Sequence, residues 1–221
     1  MNHATLRLAL RARATAVTVC TTGSATLTAT TAGYTRTSGS FLTDGFKPGM
    51  EVIPTGFTQT AVGVVSSVAA LTLTISGGRT AESAGAGRSL RVALPQLVGW
   101  DNVPVTPVAG RPFLEEELVP ASASLLTLTS RGQVDRDGLY VLRWYGLAGM
   151  GPEAIDACTD AVLAAYAPGT GETLSSGETL RIRTTPAPWR SGIVPNPTSE
   201  TAGFAVCTLT IPYRVSSLNP A

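Results

Sequence analysis

The residues able to do chemistry are few. The only histidine, His3, sits near the amino terminus, where ordering is weakest. A Ser-His-Asp or Cys-His relay needs an imidazole held by its neighbours, so nucleophilic catalysis of that kind is not expected. Three cysteines, Cys20, Cys158 and Cys207, lie far apart in sequence. Their odd number and spacing give neither a disulfide framework nor a zinc site, and they read as small buried apolar residues. Glu115, Glu116 and Glu117 form the densest carboxylate group. They could serve general acid-base chemistry, but the same run reads as a solvated or salt-bridged strand face. Gly146 to Gly151 is rich in glycine and precedes a helix, a placement that can cradle phosphate. It lacks the P-loop lysine and the GxGxxG spacing, and Glu153 and Asp156 stand just behind it. No catalytic residue, metal or cofactor is expected.

The elements that position these groups are organised around Gly138 to Ala167. Gly138–Tyr145 is apolar at both phases of a period-2 pattern: Leu139 and Val141 on one side, Tyr140, Leu142 and Trp144 on the other. Such a strand belongs near the middle of a sheet. Arg143 is the exception and falls in line with Leu139 and Val141. After Gly146–Pro152 a helix is expected, because proline is tolerated at the first helical position and acids favour the first turn. Ile155, Cys158, Val162 and Ala165 make its apolar face, and Pro168-Gly169 ends it.

Residues 3 to about 18 also read as a helix. From Cys20 to about Val92 the chain becomes dense in threonine, serine, glycine and alanine. Short β-like runs appear at Ala25–Thr31, Met50–Pro54, Val62–Val68, Leu71–Ser76 and Ser89–Leu94. Turn signals separate them, such as Asp44-Gly45 and Gly77-Gly78. Close spacing of short strands predicts a small barrel or sandwich. Further on, Phe113–Val119 is a strand with Glu115 and Glu117 on one face and Glu116 on the other. Three consecutive acids are costly to bury, so at least one face must meet water or arginine. Residues 120–137 make a long hairpin arm or loop, and connections of that length are usually functional or mobile. Leu180–Thr184 and Phe204–Val215 complete the strands, with a proline-rich loop carrying Trp189 between them.

The composition narrows the classes. A net charge of +1 over 221 residues gives no electrostatic case for strong nucleic-acid binding. Lys47 is the only lysine; the arginine excess suits interfaces and equally fits the codon bias of a GC-rich genome. Charged residues are 14%, too few for intrinsic disorder. No signal peptide is expected, since Arg7, Arg11 and Arg13 break the first apolar run. Ala61–Ile75 is too short for a membrane span.

Gly138-Leu139-Tyr140, a short alanine-rich helix, then Leu180-Arg181-Ile182-Arg183, taken in that order, resemble the tail-terminator and neck proteins of long-tailed bacteriophages. Trp100 and Asn102-Val103 before a proline-rich turn resemble the family's segment after its first helix. Family members pass almost directly from that helix to this segment, whereas here about seventy residues intervene. The organisation expected is therefore a discontinuous α+β domain, 1–19 and 94–221, with an antiparallel or mixed sheet flanked by helices. An all-β module, 20–93, is inserted in it. The resemblance implies a virion protein, assembled in the host cytoplasm. It implies a ring, most often a hexamer, that caps the head-proximal end of the tail tube, ends tube growth and presents a surface to the head connector. DNA would only pass through the ring, and no membrane is involved. A neck or head-completion protein is the alternative in the same class, and a carbohydrate- or receptor-binding β module the alternative in another.

On that reading the sites are interfaces. Glu115 and Glu117 are expected to meet arginine across a subunit boundary or to face the lumen, with Arg131, Arg136, Arg181 and Arg183 as candidates. In the arm, Leu125, Leu126 and Leu128 would bury against a neighbour or fold over their own sheet. Trp189 is an interface anchor or folds back on its own sheet.

Overall fold

The computed structural model describes residues 3–100, 103, 105–125, 132–196 and 199–218. Strand far outweighs helix. The described residues hold two helices, α1 (His3–Ala16) and α2 (Glu153–Ala165). Neither is long and apolar enough to cross a membrane.

The first half is a closed barrel. Strand β1 (Thr18–Thr21) leads into β2 (Ala25–Thr30), β3 (Gly33–Arg36), β4 (Glu51–Thr55), β5 (Gly63–Val68), β6 (Thr72–Ile75) and β7 (Glu82–Ala93). The ring runs β7-β2-β3-β6-β5-β4 and closes through β4 with β7. Closure requires strong coiling, and the irregular register of β2 against β7 supplies it. Inward positions alternate along the strands: Leu27 and Ala29, Leu73 and Ile75, Leu90 and Val92 are all buried in one core with Tyr34, Phe41 and Phe46. Gly33 permits the tight crossing at β3, where φ is +153° and a Cβ would meet the Leu73 carbonyl oxygen at 2.1 Å.

The second half is a sheet built on β8 (Val98–Gly99), β9 (Phe113–Leu125), β10 (Gln133–Leu147), β11 (Gly171–Thr173), β12 (Thr179–Ile182), β13 (Ala187–Asn196) and β14 (Ser199–Leu218). Its order is β11-β12-β14-β10-β9-β8, with β13 on the same long strand β14. All pairings are antiparallel except β8 with β9. Leu6 and Leu10 of α1, and Ile155, Cys158 and Val162 of α2, pack against Leu114, Tyr140, Leu142, Trp144, Leu209 and Ile211. These sheet residues alternate along their strands, so both helices cover the same face.

The α+β expectation of a sheet flanked by helices is therefore corrected: the chain is mostly β, with a closed six-stranded barrel. The physical reason lies on the other face of the second sheet. Glu115, Glu117, Arg143, Asp137 and Arg214 point outward there, and no apolar helix stripe could cover them without stranding charge. Of the hairpin arm or loop expected over 120–137 the structure takes the hairpin, and the proline-rich loop is also a strand. The arm is paired as far as Leu125 and from Gln133, and the proline-rich stretch around Trp189 is β13, paired with β14 along one edge. Proline is tolerated there because an edge strand can spare the missing N–H.

Candidate assembly surface

The register of β9 on β10 sets the geometry. Glu115 lies opposite Arg143, Glu117 opposite Val141, and Phe113 opposite Tyr145. Phe113 stacks on Tyr145 with ring centroids 4.1 Å apart, and Phe204 meets Phe113 edge-on at 5.0 Å. The Tyr145 hydroxyl donates to Glu115 at 2.8 Å. Burial, then the Glu115 carboxylate, pushes that phenol up to about 12. Arg143 donates to Glu117 at 2.7 Å. Glu117 thus finds its arginine within the chain, diagonally across one strand pair, and that arginine is outside the four expected from sequence.

Glu116 points the other way and is only 5% exposed. Arg11 of α1 forms a salt bridge with one of its oxygens, and the Tyr140 hydroxyl donates to the other at 2.9 Å. Arg11 also lies over the Trp100 ring, 4.3 Å from its centroid. The buried acid of the triplet is therefore satisfied from helix to sheet, while its two neighbours serve the outer face.

At the far end of the sheet a second charged group forms. Arg214 donates to both oxygens of Asp137, at 2.9 and 3.0 Å, and reaches Asp135 at 3.1 Å. Arg183 approaches Asp137 at 3.3 Å. Arg136 donates to Ser217 at 2.9 Å and lies 3.9 Å from Glu178. The hydrogen bonds from Arg214 hold the Asp137 carboxyl below its usual range. Burial alone would raise Asp135, but hydrogen bonds from Ser216 and Gln133 and the charge of Arg214 outweigh it and leave the group lowered.

The remaining sequence candidates fall as follows. Arg181 is exposed on β12, opposite Arg214. Trp189 is 65% exposed on β13, so it does not fold back onto its own sheet. Leu125 ends β9 opposite Val134; its side chain, and Leu126, Leu128 and Arg131, lie outside the described residues, as does Asn102. Residues 121–124 of the arm are exposed. All three cysteines are buried and free, and burial pushes Cys20 and Cys158 up to about 12. Beside the Gly146–Gly151 loop, Arg190 is already engaged by Asp156. Among the described residues no group of His, Cys, Asp and Glu could hold a metal ion.

Sequence reasoning missed Arg11, Arg143, Asp135, Asp137 and Arg214 as members of these groups. Arg143 carried a signal, as the lone charge in an apolar strand. The others depend on pairing registers, including the irregularity between Asp137 and Gly138, which no local pattern discloses.

Residues 88–196 match the model of a family described as phage tail terminator protein. The match begins within β7 and takes in β8 to β13, so the outer-face residues of β9, β10, β12 and β13 fall inside it. No curated protein matches the chain. One solved structure is similar over 58% of this chain and 83% of its own, at 18% identity and a TM-score of 0.41, too slight a likeness to argue from.

Proposed function

We infer, from the chain's membership of the phage tail terminator family, shown over residues 88–196, how it works in the virion. The family is a structural one, and the chain is a component of the phage tail. It forms a ring, most often of six copies, at the head-proximal end of the tail tube. The ring occupies the growing face, stops subunit addition and offers the head connector a new surface. Genomic DNA passes through its lumen. The observation that carries this reading beyond the family match is the outer face of the second sheet. It carries Glu115, Glu117 and Arg143 beside the Phe113–Tyr145–Phe204 cluster, is covered by neither helix of the described residues, and is bordered by an exposed arm and by Trp189. Such a surface suits contact with other subunits.

The experiment is assembly of the phage without this chain. Tails of uncontrolled length, separate from filled heads, are expected, with rings of the purified chain seen by electron microscopy. Tails of normal length would refute the terminator role. Normal tails with leaking, unjoined heads would instead identify a neck protein.

A further inference from the structure

The outer face of the second sheet is unevenly charged along its length. At one end Glu115 and Glu117 outnumber Arg143. At the other, Arg181, Arg183 and Arg214 stand above Asp135 and Asp137. The acids there are sunk: the side chains of Asp135 and Asp137 are 4% and 23% exposed, against 32% for Arg214 and 47% for Arg183. What reaches solvent at this end is guanidinium.

Arg181 stands apart. It is exposed and lies directly across the strand pair from Arg214, a like-charge opposition that is unfavourable when nothing offsets it. Arg214 is held by two aspartates, whereas Arg181 has no acidic partner among the described residues. Beside it opens a cleft of about 470 Å³ walled by Gln133, Gly177, Thr179, Ser216 and Ser217. Gln133 and Ser216 are engaged by Asp135 and Ser217 accepts from Arg136, so the group that answers an incoming carboxylate is the Arg181 guanidinium, which can take it with two parallel hydrogen bonds.

We propose that this cleft receives Glu117, with Glu115 beside it, from a second copy of the chain. The proposal rests on the ring reading above and names the contact that builds the ring. Glu117 has a side chain 42% exposed, and its carboxylate keeps acceptor sites free after bonding Arg143. Beyond Glu115 the outer edge of β9 has no strand neighbour among the described residues. β9 and β12 lie towards opposite margins of the sheet. The contact therefore joins two different patches, and each added copy leaves one of each free, which is head-to-tail growth. Glu117 sits at the level of Val141 and Arg181 at the level of Asp137. Adjacent copies thus meet with an offset of about 13 Å along the strands. An offset of this kind tilts strands against the axis of a ring, as shear does in a closed barrel.

The test uses the full chain in analytical ultracentrifugation at low and moderate salt. Arg181→Glu and Glu117→Arg should each weaken self-association at least tenfold, and their equimolar mixture should recover it, because every contact in the mixture is again between opposite charges. Wild-type assembly should weaken with added salt. Either variant assembling as the wild type does would overturn the proposal, as would a mixture that stays dissociated while both chains melt normally. A wild-type assembly insensitive to Arg181→Glu, together with loss of short duplex DNA binding in that variant, would mean that the cleft takes phosphate instead. A wild-type chain that never assembles would overturn the ring reading itself. Should a charge reversal unfold the chain, Arg181→Gln and Glu117→Gln replace it. For a direct pair, the double variant then assembles no worse than the weaker single one.

Discussion

Replacing Arg11 with methionine tests the junction between α1 and the second sheet. The Glu116 side chain is fully buried and the Arg11 side chain 24% exposed. Removing the arginine leaves a carboxylate in the core with only the Tyr140 hydroxyl, 2.9 Å away, to accept from. Breaking a buried pair at one partner costs about 3–5 kcal/mol. The partial exposure of Arg11 and the surviving tyrosine bond place this case near the lower bound, about 3 kcal/mol. For a chain of this size that corresponds to a fall in Tm of roughly 6–12 °C. Thermal and urea unfolding followed by circular dichroism would measure it. The control is Arg11→Met with Glu116→Gln, which removes both charges and keeps an acceptor for Tyr140; it should regain most of the loss. An Arg11→Met chain that melts within a degree of the wild type would refute the assignment of Glu116 as a buried, helix-tied acid. So would a double variant no better than the single one.

Three further outcomes are expected. Thr18 lies opposite Ala93, so joining Val19 to Leu94 by a short Gly/Ser linker in place of 20–93 should leave a chain that melts cooperatively; an unfolded product would show that the barrel is no separable module. Changing Leu125, Leu126 and Leu128 to serine should leave the chain folded but deprive it of its oligomer or its place on the tail, whereas an unfolded monomer would assign those leucines to the subunit's own core. The lowered Asp137 carboxyl contributes stability that is present above its unfolded value, about 3.9, and is lost as pH falls through the lower folded one. Asp137→Asn should therefore lower Tm at pH 7, with the deficit shrinking as pH falls below about 3.9; a deficit that stays constant as the solution is acidified would contradict this.

Much of the fold was legible because it is local. The two-sided apolar pattern of Leu139 to Trp144 placed β10 centrally, and it lies between β14 and β9. Alternation of Leu71, Leu73 and Ile75 with Thr72 and Thr74 predicted a half-buried strand; Leu73 and Ile75 face the barrel core, whereas Leu71 precedes β6 and is exposed. The short strands β1 and β3 went unread, since Thr18–Thr21 and Gly33–Arg36 are too brief for periodicity to register. β13 was read as a loop because Pro188 and Pro195 punctuate it, a signal that an edge strand overrides. The fold class failed on a quantity that local patterns do not set, namely how many faces of the sheet the helices cover. The candidate surface was half legible. Period-2 placement correctly put Glu115 and Glu117 on one face and Glu116 on the other, and the electrostatic demand for a partner followed from that. Which arginines answer it depends on strand register and on α1 crossing the sheet, both set by tertiary structure.

Strand β14 has one more consequence, and it is mechanical. Its 20 residues extend about 65 Å. From Phe204 to Leu218 it is laddered to β10 on one edge, and β12 and β13 share most of the other. A pull along this strand cannot open the ladder one rung at a time; it must shear the whole row of hydrogen bonds together. The sheet is therefore stiffest along β14 and weakest across it, where β9 could be peeled away rung by rung. A tail component under load would resist best with β14 aligned to it.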